Sequence, residues 1–326
     1  MSDCKSSIGD LLLRVDFCCI IWPPSGFVIG LRVSRVIRAH LLRSRCVRYE
    51  HCDLSVLFPP PLKDMKKLVS LKISSSDLCG FELSAVLTEC KSLTHLIVGD
   101  EVIFAGLIPG LGGMRQLTSL EVYSGVIGRN ERLTFANALR GCTSLKRIVF
   151  TGNAFGSHGF GQVMENLISR PEEICADRIQ LNGFTFQVNF SFQSHIHTLK
   201  RLSLAHNRLG DNDACGISTV IGLCTLLERV DLGGNSIGGR GAEFLSNSLS
   251  CSPTKSLKEL ILRYNCIDDD GAVELAKKSL LYNHHLKLDM SSNMVSDSAT
   301  YYIQILLKGR VVMPYNNGFY VVMGSQ

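Results

Sequence analysis

The chain has 326 residues, 45 % of them hydrophobic, and a formal net charge of +5. That composition excludes bulk disorder and supplies ample material for a core. The charge excess sits near the start, where the first 66 residues hold ten Lys or Arg against six acids, and it permits an acidic partner without requiring one.

Residues 1–43 read as an N-terminal cap or a degenerate first repeat. Leu12, Val15, Phe17 and Trp22 occupy the first, fourth, sixth and eleventh places of a phrase that recurs down the chain. The apolar run 17–22 is closed by Pro23 and Pro24 and falls short of the roughly 20 apolar residues that span a membrane. It is read as a buried strand, with Cys18 and Cys19 inside it rather than acylated. Residues 27–43 predict a helix with Ile29, Val33, Val36, Ile37 and Leu41 on one face and Arg32, Arg35, Arg38 and Arg45 opposite. That basic face reads as solvated convex surface, with a membrane or an acidic partner as the alternative.

From residue 44 to 307 the phrase repeats, and this stretch is predicted to be one solenoid. A weak copy places Val47, Tyr49, Cys52 and Leu54, and Pro59 to Pro61 replace its helix by an extended return. LVSLKISSSDL starts at Leu68, LTHLIVGDEVI at Leu93 and LTSLEVYSGVI at Leu117, with Ser76, Glu101 and Gly125 at the ninth place. These spacings of 24 to 28 residues leave little room for a helix on the outside. LKRIVFTGNAF at Leu145 restores Asn153 at place nine. A poorer copy, ICADRIQLNGF, is read from Ile174, which puts Ala176 at place three, Asp177 at an inward place and Arg178 at place five. Residues 185–198 then read as an irregular return.

Four clean copies follow at a period of 28 to 30: LKRLSLAHNRL (Leu199), LERVDLGGNSI (Leu227), LKELILRYNCI (Leu257) and HLKLDMSSNMV (His285). Such a fixed period marks a solenoid. Places four and six lie two apart, so on a short strand both point into the core. Asn207, Asn235, Asn265 and Asn293 fall where the backbone turns inward, and their amides can pair turn groups in the loops above and below. Helical halves are predicted at 214–223, 242–249, 272–281 and 299–307, each opening on an Ala where a helix packs close to the strand. Residues 308–326 read as an edge strand or cap, with Pro314 and Tyr315 closing the core.

With period, Asn and helical half together, the sequence resembles the leucine-rich repeat family and its ribonuclease-inhibitor-like subclass. The resemblance implies an α/β fold: a curved horseshoe with a parallel β-sheet on the concave face and helices and extended turns on the convex face. Cys90, Cys142 and Cys224 each sit three residues before a first-place Leu, where a small thiol packs as a hydrophobe. No cysteine spacing points to a disulfide framework or a zinc site, so the reading is a reducing, cytoplasmic location. The sequon at Asn189 matters only in a secreted chain.

Catalytic, metal and cofactor sites are not expected. The segment 233–242 is glycine-rich between strand and helix but lacks the Lys-Ser/Thr of a phosphate loop. Asp268, Asp269 and Asp270 align with a helix start and read as capping acids rather than a calcium loop. His195 with His197, and His284 with His285, have no partners at metal-ligand spacing.

The functional reading is therefore a non-catalytic protein-binding scaffold, adaptor or inhibitor using the concave face. Arg147, Arg178, Arg201 and Arg229 are predicted to gather along a ridge about 15 Å long, given strands about 4.8 Å apart. Asp231 is the one near acid expected in that group, and Tyr123, Arg263 and Tyr264 are expected to flank it as anchors. The expected partner is another protein with an acidic surface; no small-molecule substrate, membrane span or nucleic acid is expected. The resemblance also implies an alternative, activation of a small GTPase, because Ran GTPase-activating proteins share the subclass. The chain lacks their acidic tail, and no single Arg matches their catalytic one. RNA binding through the basic N-terminus is a third reading, opposed by the scarcity of aromatics among its arginines.

Overall fold

The computed structural model describes residues 46–50, 69–74, 84, 87–88, 90–99, 107–123, 129–182, 197–250, 256–283, 285–307, 311–314 and 319–322. The expected first repeat and basic helix, the proline return, Ser76, Glu101 and Gly125 at place nine, and the return at 185–196 lie outside the described residues.

Ten strands run parallel in chain order: β1 Cys46–Glu50, β2 Ser70–Ser74, β3 His95–Val98, β4 Ser119–Tyr123, β5 Arg147–Thr151, β6 Glu173–Cys175, β7 Arg201–Ser203, β8 Arg229–Asp231, β9 Glu259–Ile261 and β10 Lys287–Asp289. Helices fill the returns: α1 Ile108–Leu111, α2 Arg129–Leu139, α3 Gly156–Asn166, α4 Asp211–Leu223, α5 Gly239–Leu249, α6 Asp269–Tyr282 and α7 Asp297–Leu306. Among the described residues the 24-residue repeat between β3 and β4 carries a helix of four residues, α1. A hairpin, β11 Val311–Pro314 and β12 Phe319–Val322, lays β12 antiparallel on β10. It takes up the hydrogen-bonding edge that β10 would otherwise expose.

Register follows the phrase. Leu71, Leu96, Leu120, Ile148, Ile174, Leu202, Val230, Leu260 and Leu288 pair in turn and are buried. They point to one side with the place-six residues Val98, Val122, Phe150, Ala176, Leu204, Leu232, Leu262 and Met290, also buried. Phe135, Phe150 and Phe155 close the core where α2 meets β5, with ring centroids 5.0 to 5.8 Å apart.

Two copies are set differently from the sequence reading. Glu173, not Ala176, pairs with Arg147 and Arg201, so the poor copy begins at Pro171 and Ala176 is a buried place-six residue. The apparent match from Ile174 arose because its apolar residues also recur three apart. In the last copy Leu286 is buried and donates its N–H to Asn283 O, three residues back, as Leu93 does to Cys90 and Leu117 to Met114. Leu286 therefore fills the first-place position, while His285 is exposed.

The turn after each strand repeats a left-handed residue at place eight: Gly152, Arg178, His206, Gly234, Tyr264 and Ser292 have φ of 71°, 55°, 54°, 69°, 56° and 56°. Four of the six are not glycine, although that conformation strains an ordinary side chain. The N–H of each from Gly152 to Tyr264 donates to the next copy, as from Arg178 to Ala205 O (3.0 Å), His206 to Gly233 O (2.7 Å) and Tyr264 to Ser291 O (3.0 Å). A bonded ladder that runs through these five copies offsets the local strain.

The place-nine amides are buried and bond backward rather than above and below. Asn235 donates to its own copy's Leu232 O (2.9 Å) and to Leu204 O of the preceding copy (3.1 Å). Asn265 and Asn293 repeat this pattern. Ile179 interrupts the column, yet Asn207 still serves that turn by accepting from Ile179 and Leu181 N–H, both at 3.1 Å.

The helices begin two or three residues before the expected alanines. Ala214 and Ala242 mark close approach between helices. A Cβ on Gly241 would stand 3.2 Å from Ala214 Cβ, and one on Gly271 would stand 2.9 Å from Ala242 Cβ.

Candidate functional site

Helices cover one face of the sheet, and places three, five and seven look out from the other. Parallel sheets are ordinarily covered on both faces, so an open one must carry side chains that tolerate water. Down place three, from β5 to β10, stand Arg147, Glu173, Arg201, Arg229, Glu259 and Lys287. Arg147 is flanked by two carboxylates: its Nε lies 3.0 Å from Glu121 Oε1, and its Nη1 pairs with Glu173. Arg201 reaches the other oxygen of Glu173 at 3.2 Å. Arg229 pairs with Glu259 and lies 3.5 Å from Asp231.

The place-two residues form a second ladder beside the first. Lys146 and Lys200 share Glu172 at 3.6 and 2.7 Å, and Lys258 meets Glu228 at 3.0 Å. Hydrogen bonding from Lys200 to Glu172 and from Lys258 to Glu228 holds both carboxyls below the usual range.

Places five and seven are smaller and more buried. Tyr123 donates to Glu121 Oε2 at 2.6 Å, and burial followed by that carboxylate raises its phenol pKa. Burial, then the charge of Asp177, pushes the Cys175 thiol up to about 12. Asp177 accepts from Ser203 Oγ (2.6 Å) and Ala205 N–H (2.8 Å) on the next copy. Asp231 and Asp289 do the same job within their own copies, accepting from Gly233 and Ser291 N–H at 3.1 Å. Partial burial opposes the charge of Arg147, but Glu173 and Glu121 outweigh it, so its guanidinium stays protonated beyond its ordinary range.

Of the seven residues singled out in the sequence, Tyr123, Arg147, Arg201 and Arg229 come together around a shallow concavity of about 180 Å³. Arg263 is exposed at place seven, two strands beyond Arg201. Arg178 and Tyr264 do not stand on the sheet face. Both are exposed left-handed turn residues beyond the strand ends. The ridge is a ladder of mixed sign rather than a run of like charges, because Glu173 occupies the rung given to Ala176. Glu121, Glu173 and Glu259 are the site residues that sequence reasoning missed. The signal for Glu173 was present at place three, once the copy is started at Pro171.

The glycine-rich segment and the aspartate run are both satisfied internally. Asp211 accepts from Gly238 N–H (2.7 Å) and Gly241 N–H (3.0 Å), occupying the start of α5. Asp268 caps α6 through Gly271 N–H, and Asp269 accepts from Ser296 N–H and Oγ, both at 2.7 Å. Among the described residues no group of three His, Cys, Asp or Glu is placed to hold a metal. No helix among them is long and apolar enough to cross a membrane. Cys90, Cys142 and Cys224 are buried thiols outside any disulfide, whereas Cys215 and Cys266 are exposed thiols.

The sequence model of a family described as "Leucine Rich repeat" matches residues 195–217, 223–246 and 255–276, which hold β7, β8, β9 and their helices. The ribonuclease inhibitor of Sus scrofa is 26 % identical over 259 residues, covering 76 % of this chain and 52 % of that protein. The chain carries leucine-rich repeats and is similar to a ribonuclease inhibitor. The leucine-rich repeat chain spans about half the length of that relative. Among solved structures it is similar to an internalin from Listeria monocytogenes (16 % identity, 83 % of this chain and 68 % of that one, TM-score 0.43). It is also similar to the plant peptide hormone receptor RGFR1 in complex with RGF2 (19 % identity, 72 % and 34 %, TM-score 0.40).

Proposed function

We propose that the chain is a non-catalytic protein-binding scaffold whose partner docks on the open sheet face. The observation that supports this reading is the place-three ladder itself. From β5 to β10, charged side chains stand one per strand, mostly held by ion pairs to their neighbours, on a face without helices. Such pre-ordered side chains lose little freedom when a partner binds, which favours recognition by a broad surface. The concavity of about 180 Å³ is below the roughly 300–1,000 Å³ typical of small-ligand sites, which favours a macromolecule here.

The partner proposed is a protein of mixed charge. Arg147, Arg201 and Arg229 each already face a carboxylate of this chain, so an acidic surface alone would compete with Glu121, Glu173 and Glu259. Arg263 and Tyr264 at the exposed rim are the proposed anchors. Adaptor and inhibitor are both roles such a face can fill, and a reducing, cytoplasmic setting is proposed with it.

Affinity capture with the tagged chain tests the reading. Arg201→Glu with Arg263→Glu should lose the partners captured by the parent. Glu243→Lys, at an exposed position of α5, should keep them. A folded double variant that retains the parent's partners would move the docking surface off the sheet face.

A further inference from the structure

We propose that the cavity between α3 and the turns of the next two copies binds a compact, multiply phosphorylated small molecule. It lies where strands turn into helices, and its volume of about 650 Å³ falls in the range of about 300–1,000 Å³ common to small-ligand sites.

Its basic side chains come from three different copies. Arg132 reaches in from α2, His158 from the first turn of α3, and Arg208 from the turn after β7. No carboxylate lines the cavity among the described residues. This contrasts with the open sheet face, where each of Arg147, Arg201 and Arg229 pairs with a carboxylate.

Arg132 is fixed in place without being used up. Its stem crosses Gly159, where even a Cβ would come within 2.9 Å of its Cδ. One Nη donates to Ala154 O, while its Nε is buried without a hydrogen-bond partner. A guanidinium has five N–H donors, so most remain for a ligand. Ser157 and Asn182 exchange hydrogen bonds of 3.0 Å in both directions, tying the start of α3 to the next turn and holding the wall still.

The start of α3 adds to the field. Its first turn holds no acid and Phe155 gives it no side-chain cap, whereas Asp211, Asp268 and Ser296 serve the starts of α5, α6 and α7. The partial positive charge of that end is thus left open beside the two guanidiniums.

The remaining lining selects within the anions. Gln162, Gln180 and Asn182 present amides that donate to phosphate oxygens and accept from hydroxyls. No aromatic or large aliphatic side chain among the described lining residues offers a surface on which a nucleobase would stack. The chemistry fits a phosphorylated polyol or a short polyphosphate, whether free or as a lipid headgroup.

Isothermal titration of the full chain with inorganic tripolyphosphate and with myo-inositol hexakisphosphate, at near-physiological salt, tests the assignment. One saturable site is expected for each. Arg208→Ala with His158→Ala, both at exposed positions, should weaken binding by about tenfold or more through lost charge-assisted hydrogen bonds. Arg140→Ala, at an exposed position outside the cavity, should leave it unchanged. Absence of saturable binding to either probe would overturn the proposal. So would equal losses in the cavity and control variants, since bulk charge would then explain both. Co-sedimentation with phosphatidylcholine vesicles containing phosphatidylinositol bisphosphate, competed by the soluble probes, would assign the headgroup source. Soluble binding without co-sedimentation would assign the free one.

Discussion

Asn235 Oδ1 accepts the backbone N–H groups of Asn207 and Leu209 at 3.1 and 3.2 Å, so one side chain closes the turn of the copy before it. Its Nδ2 meanwhile holds the carbonyls of Leu204 and Leu232. Replacement by Leu keeps the bulk and removes all four bonds from a buried position. Each buried group left unpaired costs about 1–3 kcal/mol. Asn235→Leu should therefore lower the midpoint of thermal and urea unfolding well beyond experimental scatter. A midpoint equal to the parent's would show that the turn backbone finds partners without the amide.

Asp211 performs a comparable task on the helical side, accepting from Gly238 and Gly241 at the start of α5. A Cβ at Gly241 would approach its Oδ1 to 2.6 Å, so the glycine is what lets the carboxylate sit there. Asp211→Ala should cost about 1–2 kcal/mol, the usual loss for a helix cap. The loss should be local: amide hydrogen exchange should speed up at 238–241 and not in α7. Unchanged exchange at those amides would remove Asp211 from the capping role.

How far the sequence carried depended on whether a feature repeats. Places four, six and nine recur in the four clean copies, so the register from Leu199 onward, the buried Asn column and the helices were legible. The copy at Pro171 was not. It carries Pro at place one and Ile179 at place nine, and its alternative start at Ile174 satisfies several of the same apolar places. That three-residue slip exchanged Glu173 for Ala176 on the ladder and turned a mixed-charge row into a like-charged ridge. The left-handed place-eight residues were illegible for a different reason. Four of them are Arg, His, Tyr and Ser, and what holds the first three is the next copy's carbonyl, a long-range partner invisible in local sequence.

The thiols separate by burial. Burial alone pushes Cys142 and Cys224 up to about 12, against an ordinary value near 9.0. Mild iodoacetamide treatment at pH 8 should label Cys215 and Cys266 and spare Cys90, Cys142 and Cys224 until the chain is denatured. The same shifts fix a sign for stability. Between about pH 9 and 12 the unfolded thiols lose protons that the folded ones keep, so stability should be full below that window and fall as pH rises through it. Peptide mapping that finds Cys142 or Cys224 among the first sites labelled would contradict the packing.

Glu173 is the rung on which the sheet-face reading turns, since it pairs with Arg147 on one side and Arg201 on the other. Glu173→Lys would place four cations in succession on β5 to β8, with strands about 4.8 Å apart. Like charges directly opposed on neighbouring strands destabilise, and partly exposed pairs of this kind are worth up to about 1 kcal/mol each. The variant should lose about 1–2 kcal/mol in low salt and regain much of it near 1 M, where the screening length shrinks to about 3 Å. Glu173→Gln, which removes the attraction without adding a charge, should fall between parent and reversal. The three unfolding midpoints, measured at both salt concentrations, give the answer. If the reversal variant matched the parent in low salt, the ladder would be a solvated row with no energetic coupling, and the pre-ordering that favours a docking surface there would be lost with it.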